Sequence, residues 1–391
     1  MFYLTLLLAS ILGCKPPTTA SSNTVDLIRY EIVEEALYLD ELKGVLPQAT
    51  VDASLQQAAQ ILIAATRVPE SLMSVRSMLD AENQAGYPGQ AHFLKVMNGG
   101  QFPVQQLRGL AKHQGLEVGL SKRKFGDGRV LWIIGWGKRL LDLDPIPLEI
   151  PLDGVVPIRI GNFDADRALL YVSAPDRPVE RIELLPNAHR WLQDFHVPGE
   201  YRFEVLLQHT EGASQYNEIA LLFSVFVDSP LPNVYSTAVE TEVNNPILAE
   251  KQLFQSVNQL RAQRGLRPLK TFDLFVPLAR EHSALMASTG IVNHKINGVT
   301  SGVPSKAANL AHPRASHYQN VAAALTADEA LTLAIDSPGH FQVFLCETCT
   351  HMSIGAALEP SFVNPRLFVT WEVLEFPQGV PKRIEKLNRD F

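Results

Sequence analysis

The sequence predicts an α+β multi-domain fold. Three observations support this prediction: the chain has 391 residues, its hydrophobic fraction is 46%, and its segments change from helical spacing to short β-type runs and back. A chain of this length accommodates about two to four domains, and its composition supports packed cores and excludes global disorder. The formal net charge of −7 is mild for this length. It argues against a surface that binds nucleic acid.

The first residues predict an export segment. Phe2 to Leu12 is an apolar run too short to cross a bilayer as a helix, and it leads to Gly13 and Cys14. This ending resembles a bacterial lipobox, so we expect residues 1–14 to be a lipoprotein signal peptide with Cys14 lipidated. Residues 15–24, rich in Pro, Thr and Ser, would be the linker. No Lys or Arg precedes the apolar run, so a plain cleaved signal and a frayed apolar terminus remain alternatives.

Residues 25–144 predict a helical region that closes with a hairpin. The segments DLIRYEIVEEALYLDELKG and VDASLQQAAQILIAATRV carry apolar residues at helical spacing, and Asp52 is placed to cap the second helix. Gly126-Asp127-Gly128 then separates two apolar runs, which is a signal for a β-hairpin.

Residues 145–231 predict a β-sandwich of immunoglobulin-like architecture. Short β-type runs are separated by turn residues, and Tyr201, Phe203 and Val205 alternate along one of the last strands. No reactive groups cluster here, so we interpret this region as a spacer or an interaction module. Three histidines of the region are interpreted as surface residues: His189, His196 and His209.

Residues 247–378 return to helical spacing and end in two strands. The first helix places Leu253, Val257 and Leu260 on one stripe and stops at Gly265. His282 lies on the apolar face of the next helix and is interpreted as a core histidine. The two closing strands are MSIGAALEP and RLFVTWEVLEF.

An internal similarity connects the first and third regions. The stretches from Val118 and from Ile354 each contain a strand of small residues, a turn, an Arg and a second apolar strand ending near Trp. Counting back from Gly119 and Gly355 places Val104 at the position of His340. Two explanations are open: residues 25–144 are a degenerate copy of the third region, or the two converged on the same helix-plus-hairpin pattern.

Cys346 and Cys349 form a C-x-x-C pair. Outside the cytoplasm such a pair favours a local disulfide. The pair follows a helix end and precedes a strand, which argues against thioredoxin-like chemistry. A zinc site made from these thiols and His351 would need a fourth ligand and reduced cysteines.

Five pieces of the third region resemble, in order, the CAP superfamily (cysteine-rich secretory proteins, antigen 5 and pathogenesis-related proteins) in its bacterial form. They are VNQLRAQRGLRPLKTFD, LAREHSALMASTGIVNH, YQNVAA, DSPGHF and MSIGAAL. The resemblance implies a three-layer α-β-α sandwich at residues 247–378 with an open cleft. It also implies that His294 and His340 face each other there, with Gln319 and Asn320 beside them.

The family resemblance further implies a divalent metal, often zinc, bound by the two histidines and by acidic residues. Gln319 stands where the family has a glutamate, and we expect an amide to bring no charge, fix no histidine tautomer and serve as no base. Zinc binding by His294 and His340 and a polar pair bonded to neighbours or water are both open. Other residues could add an acid or a third ligand: Asp328, Glu329 and Asp336, or His312, His317 and His351.

These features favour a non-enzymatic, lipid-anchored protein of the cell envelope, on the periplasmic side or at the cell surface. Its cleft would bind a lipid, a cell-wall component, a protein or a metal. The alternative is a metal-dependent hydrolase of envelope peptides or peptidoglycan. No G-x-S-x-G elbow positions Ser337 as a nucleophile and no phosphate-binding loop is present, so no catalytic residue is assigned.

Overall fold

The computed structural model describes thirteen stretches of the chain. They are residues 35–66, 73–108, 110, 115–184, 189–211, 214–234, 245–296, 298–299, 301, 316–360, 365–376, 379–380 and 382. The predicted signal peptide with Cys14, the linker at residues 15–24 and the candidate ligand His312 lie outside the described residues. Mixed helices and sheets in several units confirm the α+β multi-domain class.

The first unit is a four-stranded sheet covered by helices. Its helices are α1 (Glu35–Val45), α2 (Ala53–Ala65), α3 (Val75–Ala85) and α4 (Val104–Arg108), and its strands are β1 (Thr50–Val51), β2 (Gln90–Asn98), β3 (Glu117–Lys124) and β4 (Val130–Lys138). The strand order is β1-β3-β4-β2, with β1 parallel to β3 and the other pairs antiparallel. Asp52 caps α2 as expected, since its carboxylate accepts the Leu55 N–H at 2.9 Å.

The second unit is a β-sandwich. Its strands are β5 (Leu141–Leu143), β6 (Glu149–Ile150), β7 (Val155–Phe163), β8 (Arg167–Ser173), β9 (Glu180–Leu184), β10 (His189–Asp194), β11 (Gly199–Glu211) and β12 (Ser214–Val227). They form a sheet of order β10-β7-β5 and a sheet of order β6-β12-β11-β8-β9. On β11, Tyr201, Phe203 and Val205 point into the shared core, so the intervening residues point away from it.

The third unit repeats the mixed pattern. Its helices are α5 (Pro246–Gln263), α6 (Val276–Thr289, after a short 3-10 turn), α7 (Ala327–Asp336) and α8 (Pro338–Phe344), and its strands are β13 (Lys270–Thr271), β14 (Ser316–Ala324), β15 (His351–Leu358) and β16 (Leu367–Glu375). Alternate residues of β16 belong to different cores: Trp371 and its odd-numbered neighbours pack with α5 and α7, whereas Phe368 packs with α6. The sheet is therefore the middle of three layers, as the α-β-α expectation requires.

The first and third units have the same sheet wiring. The third sheet has the order β13-β15-β16-β14, with β13 parallel to β15, which matches the first strand for strand. Both also contain a glycine against a helix backbone. A Cβ at Gly119 would lie 2.2 Å from the backbone of Leu55 and Gln56, and one at Gly355 would lie 2.1 Å from that of Ala279. Only glycine permits these close helix–strand contacts.

Candidate functional site

Two histidines from different layers of the third unit meet beside the edge strand β14. His294 follows α6, which ends at Gly290 in a left-handed conformation that turns the chain back towards the sheet. His340 lies in the first turn of α8. The ring centroids are 6.1 Å apart and the ring planes are inclined by 71°. The residues that sequence resemblance predicted to face each other are therefore neighbours in the structure.

Local hydrogen bonds fix the position of His340. Ser337 caps α8, because its hydroxyl accepts the His340 N–H at 3.2 Å, and Pro338 occupies the first helical position. From the sheet side, the Asn320 amide donates to the His340 carbonyl at 2.9 Å. Asn320 is fully buried, so it supports the backbone of His340 from within the protein and was wrongly predicted to line the cleft.

Gln319 connects His294 to a carboxylate that sequence reasoning missed. Its amide N–H donates to Glu372 Oε1 at 2.8 Å, and its amide oxygen lies 2.8 Å from His294 Nδ1. A carboxylate accepts only, so the amide must point its NH₂ at Glu372 and its oxygen at His294. His294 Nδ1 is then the donor, and Nε2 holds a lone pair. The expectation that an amide at this position fixes no tautomer is wrong, because the second partner of the amide sets its orientation.

Glu372 is the buried acid of this site. It lies on β16 directly opposite Gln319 on β14 and is fully buried, and its other oxygen is hydrogen-bonded to His317. A signal was present in the sequence: Glu372 lies inside the apolar run of β16, whereas the other acid of the strand, Glu375, ends it. A buried charge requires partners. Its partner on β14 depends on strand register, which the sequence does not show.

The three acids proposed as replacements lie elsewhere. Asp328 accepts from Gln252 at 2.8 Å, and Glu329 accepts the backbone N–H groups of Val75 and Leu325, each at 2.7 Å. Asp336 pairs with Arg76 and with Arg202. None of the three is directed at the histidine pair. All three are used in contacts between helices or between units of the molecule.

Partial burial keeps both histidines of the pair neutral. Burial, with a smaller contribution from the neighbouring His294, lowers the pKa of His340 to about 3. Burial also lowers the pKa of His294, although Gln319 and Glu372 oppose the shift. His282 is a core histidine as predicted: it is 1% exposed and bonded to the Asn293 carbonyl at 3.0 Å, and burial lowers its pKa. At neutral pH the cleft therefore offers lone pairs rather than positive charge.

Comparison with known proteins identifies the unit that carries this cleft. Residues 254–371 match the model of the CAP family, described as the cysteine-rich secretory protein family. This part of the chain is a CAP domain. A search of curated proteins found no match to the chain.

Several solved structures are similar to parts of the chain. An outer surface protein from Borrelia burgdorferi is 17% identical, and the match covers 32% of this chain and 92% of that one, with a TM-score of 0.27. An extracellular protein with an SCP domain from Bacillus anthracis is 15% identical, and the match covers 45% of this chain and 64% of that one, with a TM-score of 0.28. A cysteine-rich secretory protein from Staphylococcus aureus is 12% identical, and the match covers 56% of this chain and 77% of that one, with a TM-score of 0.25.

His294 and His340 are two side chains of the CAP domain that could hold a metal ion. No group of three or more His, Cys, Asp or Glu side chains among the described residues could hold an ion. His317 is bonded to Glu372 and His351 to the Thr350 hydroxyl, and neither forms a three-ligand group with the histidine pair. The set of His294 Nε2 and one His340 nitrogen fits a weakly held zinc ion with solvent completing its coordination. It does not fit a structural zinc site, which requires four protein ligands.

Cys346 and Cys349 form the predicted disulfide of the CAP domain. The Cα atoms are 5.4 Å apart, and the bond closes the turn between α8 and β15. Arg261 ties this turn to the end of α8, since its guanidinium donates to the Phe344 carbonyl at 2.7 Å and the Cys346 carbonyl at 2.9 Å. The disulfide therefore closes the turn that follows the helix carrying His340.

Proposed function

We propose that this chain is a lipid-anchored extracytoplasmic protein whose CAP domain binds a ligand between His294 and His340 without transforming it. The observation that carries the proposal is the neutral histidine pair. Its ring centroids are 6.1 Å apart, and no carboxylate of the described residues is bonded directly to either ring. Two lone-pair nitrogens favour a ligand that offers hydroxyl or amide donors, or a divalent cation. Lipids, cell-wall components and protein segments all provide such donors.

The neighbouring side chains support binding over catalysis. The Ser337 hydroxyl donates to Glu204 at 2.8 Å and accepts the His340 N–H, so both of its roles are taken. Hydrolysis requires a nucleophile or activated water, a base and an orienting group. Glu372 reaches His294 only through the Gln319 amide, so it orients the ring and does not take up a proton from it.

The location rests on the lipobox-like sequence at Cys14. Lipid chains on this cysteine would hold the protein at a membrane surface, since each buried methylene contributes about 0.8 kcal/mol. Among the described residues, no helix has the length and apolar character needed to span a bilayer. Changing Cys14 to Ser should release the full chain from the membrane fraction of its host. Retention of the variant in that fraction would overturn the anchor.

We further propose that residues 25–144 are a CAP-like copy without a binding site. Gly119 pairs with Gly135 and Gly355 with Thr370, so the position of Glu372 corresponds to Gly137. Its partner on the edge strand, Gln319 in the CAP domain, corresponds to Ala91. The Tyr87 hydroxyl lies 2.6 Å from where a Cβ of Gly137 would be, so an aromatic ring fills this position.

Glu372 favours one alternative, the metal-dependent hydrolase of envelope peptides or peptidoglycan. Through Gln319 it fixes the tautomer of His294, which is what an outer carboxylate does for a metal-bound histidine. Protein purified without added metal distinguishes the two functions. Stoichiometric zinc together with cleavage of peptides or peptidoglycan would establish the hydrolase, whereas substoichiometric metal and no cleavage would remove it.

Paired binding measurements test the proposed cleft. Lipids, cell-wall fragments and proteins that co-purify with the full chain are compared between wild type and the His294→Ala/His340→Ala variant. The control is His196→Ala, a histidine of the sandwich with a side chain 68% exposed. We expect the double variant to lose partners that the control retains. Identical profiles for all three proteins would exclude the cleft as the binding site.

A further inference from the structure

The outward face of β11 touches both other units of the molecule. Glu200, Arg202 and Glu204 alternate with the core residues of the sandwich and therefore point away from its interior. Glu200 lies 3.7 Å from the Arg76 guanidinium of α3. Arg202 pairs at 2.8 Å with Asp336, the last residue of α7. This face is therefore a contact surface between units. Of the two interpretations drawn from the sequence, a spacer or an interaction module, these contacts favour the second.

Glu204 reaches the start of the helix that carries His340. One carboxylate oxygen accepts the Ser337 hydroxyl at 2.8 Å, and the other accepts the Gly339 N–H at 2.6 Å. Glu204 is fully buried, and burial raises its pKa to about 7 although both hydrogen bonds oppose the shift. A buried carboxylate is retained only with partners, and here both partners belong to the CAP domain.

The contact leaves little freedom to the first turn of α8. A Cβ on Gly339 would lie 2.8 Å from Glu204 Oε2 and 3.4 Å from the Leu206 side chain, so the sandwich lies directly against this turn. Ser337 caps the helix through the His340 N–H, and its own hydroxyl proton is directed at Glu204. The orientation of the capping group therefore depends on a residue of another unit.

We propose that Glu204 is a positioning residue of the CAP cleft, which makes the β-sandwich part of the binding site. The carboxylate holds Ser337 and Gly339, and these residues set where the His340 ring stands relative to His294. Two supports act on this wall of the cleft: Asn320 on the His340 carbonyl from the sheet, and Glu204 on the preceding turn from the sandwich. The inference rests on the proposed function only in calling the histidine pair a binding site. The effect of Glu204 on the position of the His340 ring can be measured whether or not a ligand binds.

Three substitutions in the full chain test this role. Glu204→Leu removes both acceptors and leaves the Gly339 N–H without a partner, whereas Glu204→Gln keeps an oxygen for that N–H and an NH₂ for the Ser337 oxygen. Glu200→Gln is the matched control, since Glu200 is on the same face of β11 but contacts Arg202, Ser224 and Arg76 rather than the start of α8. The readouts are the ¹⁵N and ¹H shifts of the His340 ring and the affinity for Zn²⁺ as a probe.

We expect Glu204→Leu to shift the His340 ring signals and to weaken Zn²⁺ binding by about tenfold, the scale of outer-sphere effects at metal sites. Glu204→Gln should restore most of both, and Glu200→Gln should change neither. Unchanged His340 signals in a folded Glu204→Leu protein would overturn the proposal. So would equal shifts in Glu204→Leu and Glu200→Gln, since these would indicate general loosening of the junction.

A second variant approaches the same contact from the CAP domain. Gly339→Ala places a methyl against the Glu204 carboxylate, and it should displace the His340 signals even if Glu204→Leu fails to fold. Unchanged His340 signals in Gly339→Ala would also overturn the proposal. If wild type itself shows no Zn²⁺ affinity, the metal-binding part of the cleft hypothesis fails, while the His340 signals still decide the role of Glu204.

Discussion

Gln319 and Glu372 stand opposite each other on β14 and β16, and the hydrogen bond between them turns the Gln319 oxygen towards His294. The amide therefore transmits the orienting effect of a buried carboxylate without carrying charge. This arrangement explains how the CAP domain keeps one tautomer of His294 with a neutral residue at position 319.

Replacing Gln319 by Leu should release that tautomer. The His294 ring would lose its acceptor at Nδ1, so its ¹⁵N signals should change from a single Nδ1–H form to a mixture. The Gln252→Leu variant, which removes an exposed hydrogen bond to Asp328, is the control and should leave His294 unchanged. A His294 ring that remains in the Nδ1–H form without Gln319 would contradict the assigned orientation.

His340 should remain neutral well into the acidic range. Burial lowers its pKa to about 3 in the folded protein, whereas a histidine in the unfolded chain has a pKa of about 6.5. The unfolded state then binds more protons below that pH, so the free energy of unfolding should fall as the pH drops from about 6.5 towards 3. The chemical shifts of the His340 ring, recorded across this pH range in the folded and the urea-unfolded protein, measure both pKa values. Protonation of His340 near pH 6 in the folded state would contradict the lowered pKa and the burial that causes it.

The two close helix–strand contacts should tolerate no side chain. Gly355→Ala and Gly119→Ala each place a methyl inside a helix backbone, and overpacking of this kind costs about 1–3 kcal/mol or more. Gly126→Ala is the control, because a methyl at Gly126 would meet no atom within 4 Å beyond its own chain neighbours. Urea unfolding monitored by circular dichroism measures the loss. Wild-type stability in both test variants would show that the helices do not pack against these two glycines as described.

Removing the disulfide should destabilise the CAP domain only slightly. Cys346 and Cys349 are three positions apart, and so short a loop limits the entropic contribution to about 2 kcal/mol or less. We expect the Cys346→Ser/Cys349→Ser variant to fold and to unfold at slightly lower urea concentration. A larger loss would assign the bond a role in holding α8 that loop closure does not explain.

Glu82 should make the first unit sensitive to alkaline pH. It is 4% exposed, its carboxylate accepts the Ala91 N–H at 2.8 Å, and burial raises its pKa well above the usual range. Because the folded state binds this proton more tightly, the contribution of Glu82 to stability is fully present below about pH 4.5 and is lost as the pH rises through the raised pKa. Glu82→Gln should therefore be more stable than wild type at pH 8, with a difference that shrinks on acidification. The exposed Glu183→Gln variant should show no such dependence.

Sequence patterns located the pieces of the CAP cleft but not their connections. His294 and His340 could be named because short motifs carry them, and the disulfide was predicted from two cysteines in a chain that we expect to be exported. Glu372 was missed because its importance depends on pairing with Gln319 across a sheet. Strand register is a property of the folded sheet rather than of either strand alone.

The contacts of the sandwich with the other units could not be predicted from local sequence patterns. The alternation on β11 correctly indicated a strand with one face in a core, but the other face carries Glu200, Arg202 and Glu204, which look like ordinary surface charges in the sequence. Their partners lie in other units and are distant in the chain. Only the arrangement of the units distinguishes them from solvated residues.

The matching wiring of the first and third sheets gives this molecule an internal reference. Whatever both halves preserve, such as the paired glycines Gly119 and Gly355, reports what the shared architecture demands. Whatever differs, such as Gly137 beside Tyr87 in the first unit and Glu372 in the third, marks where the proposed binding site is absent or present. Transferring residues of the third unit into the first can therefore test how few substitutions create the proposed binding site in a unit that lacks it.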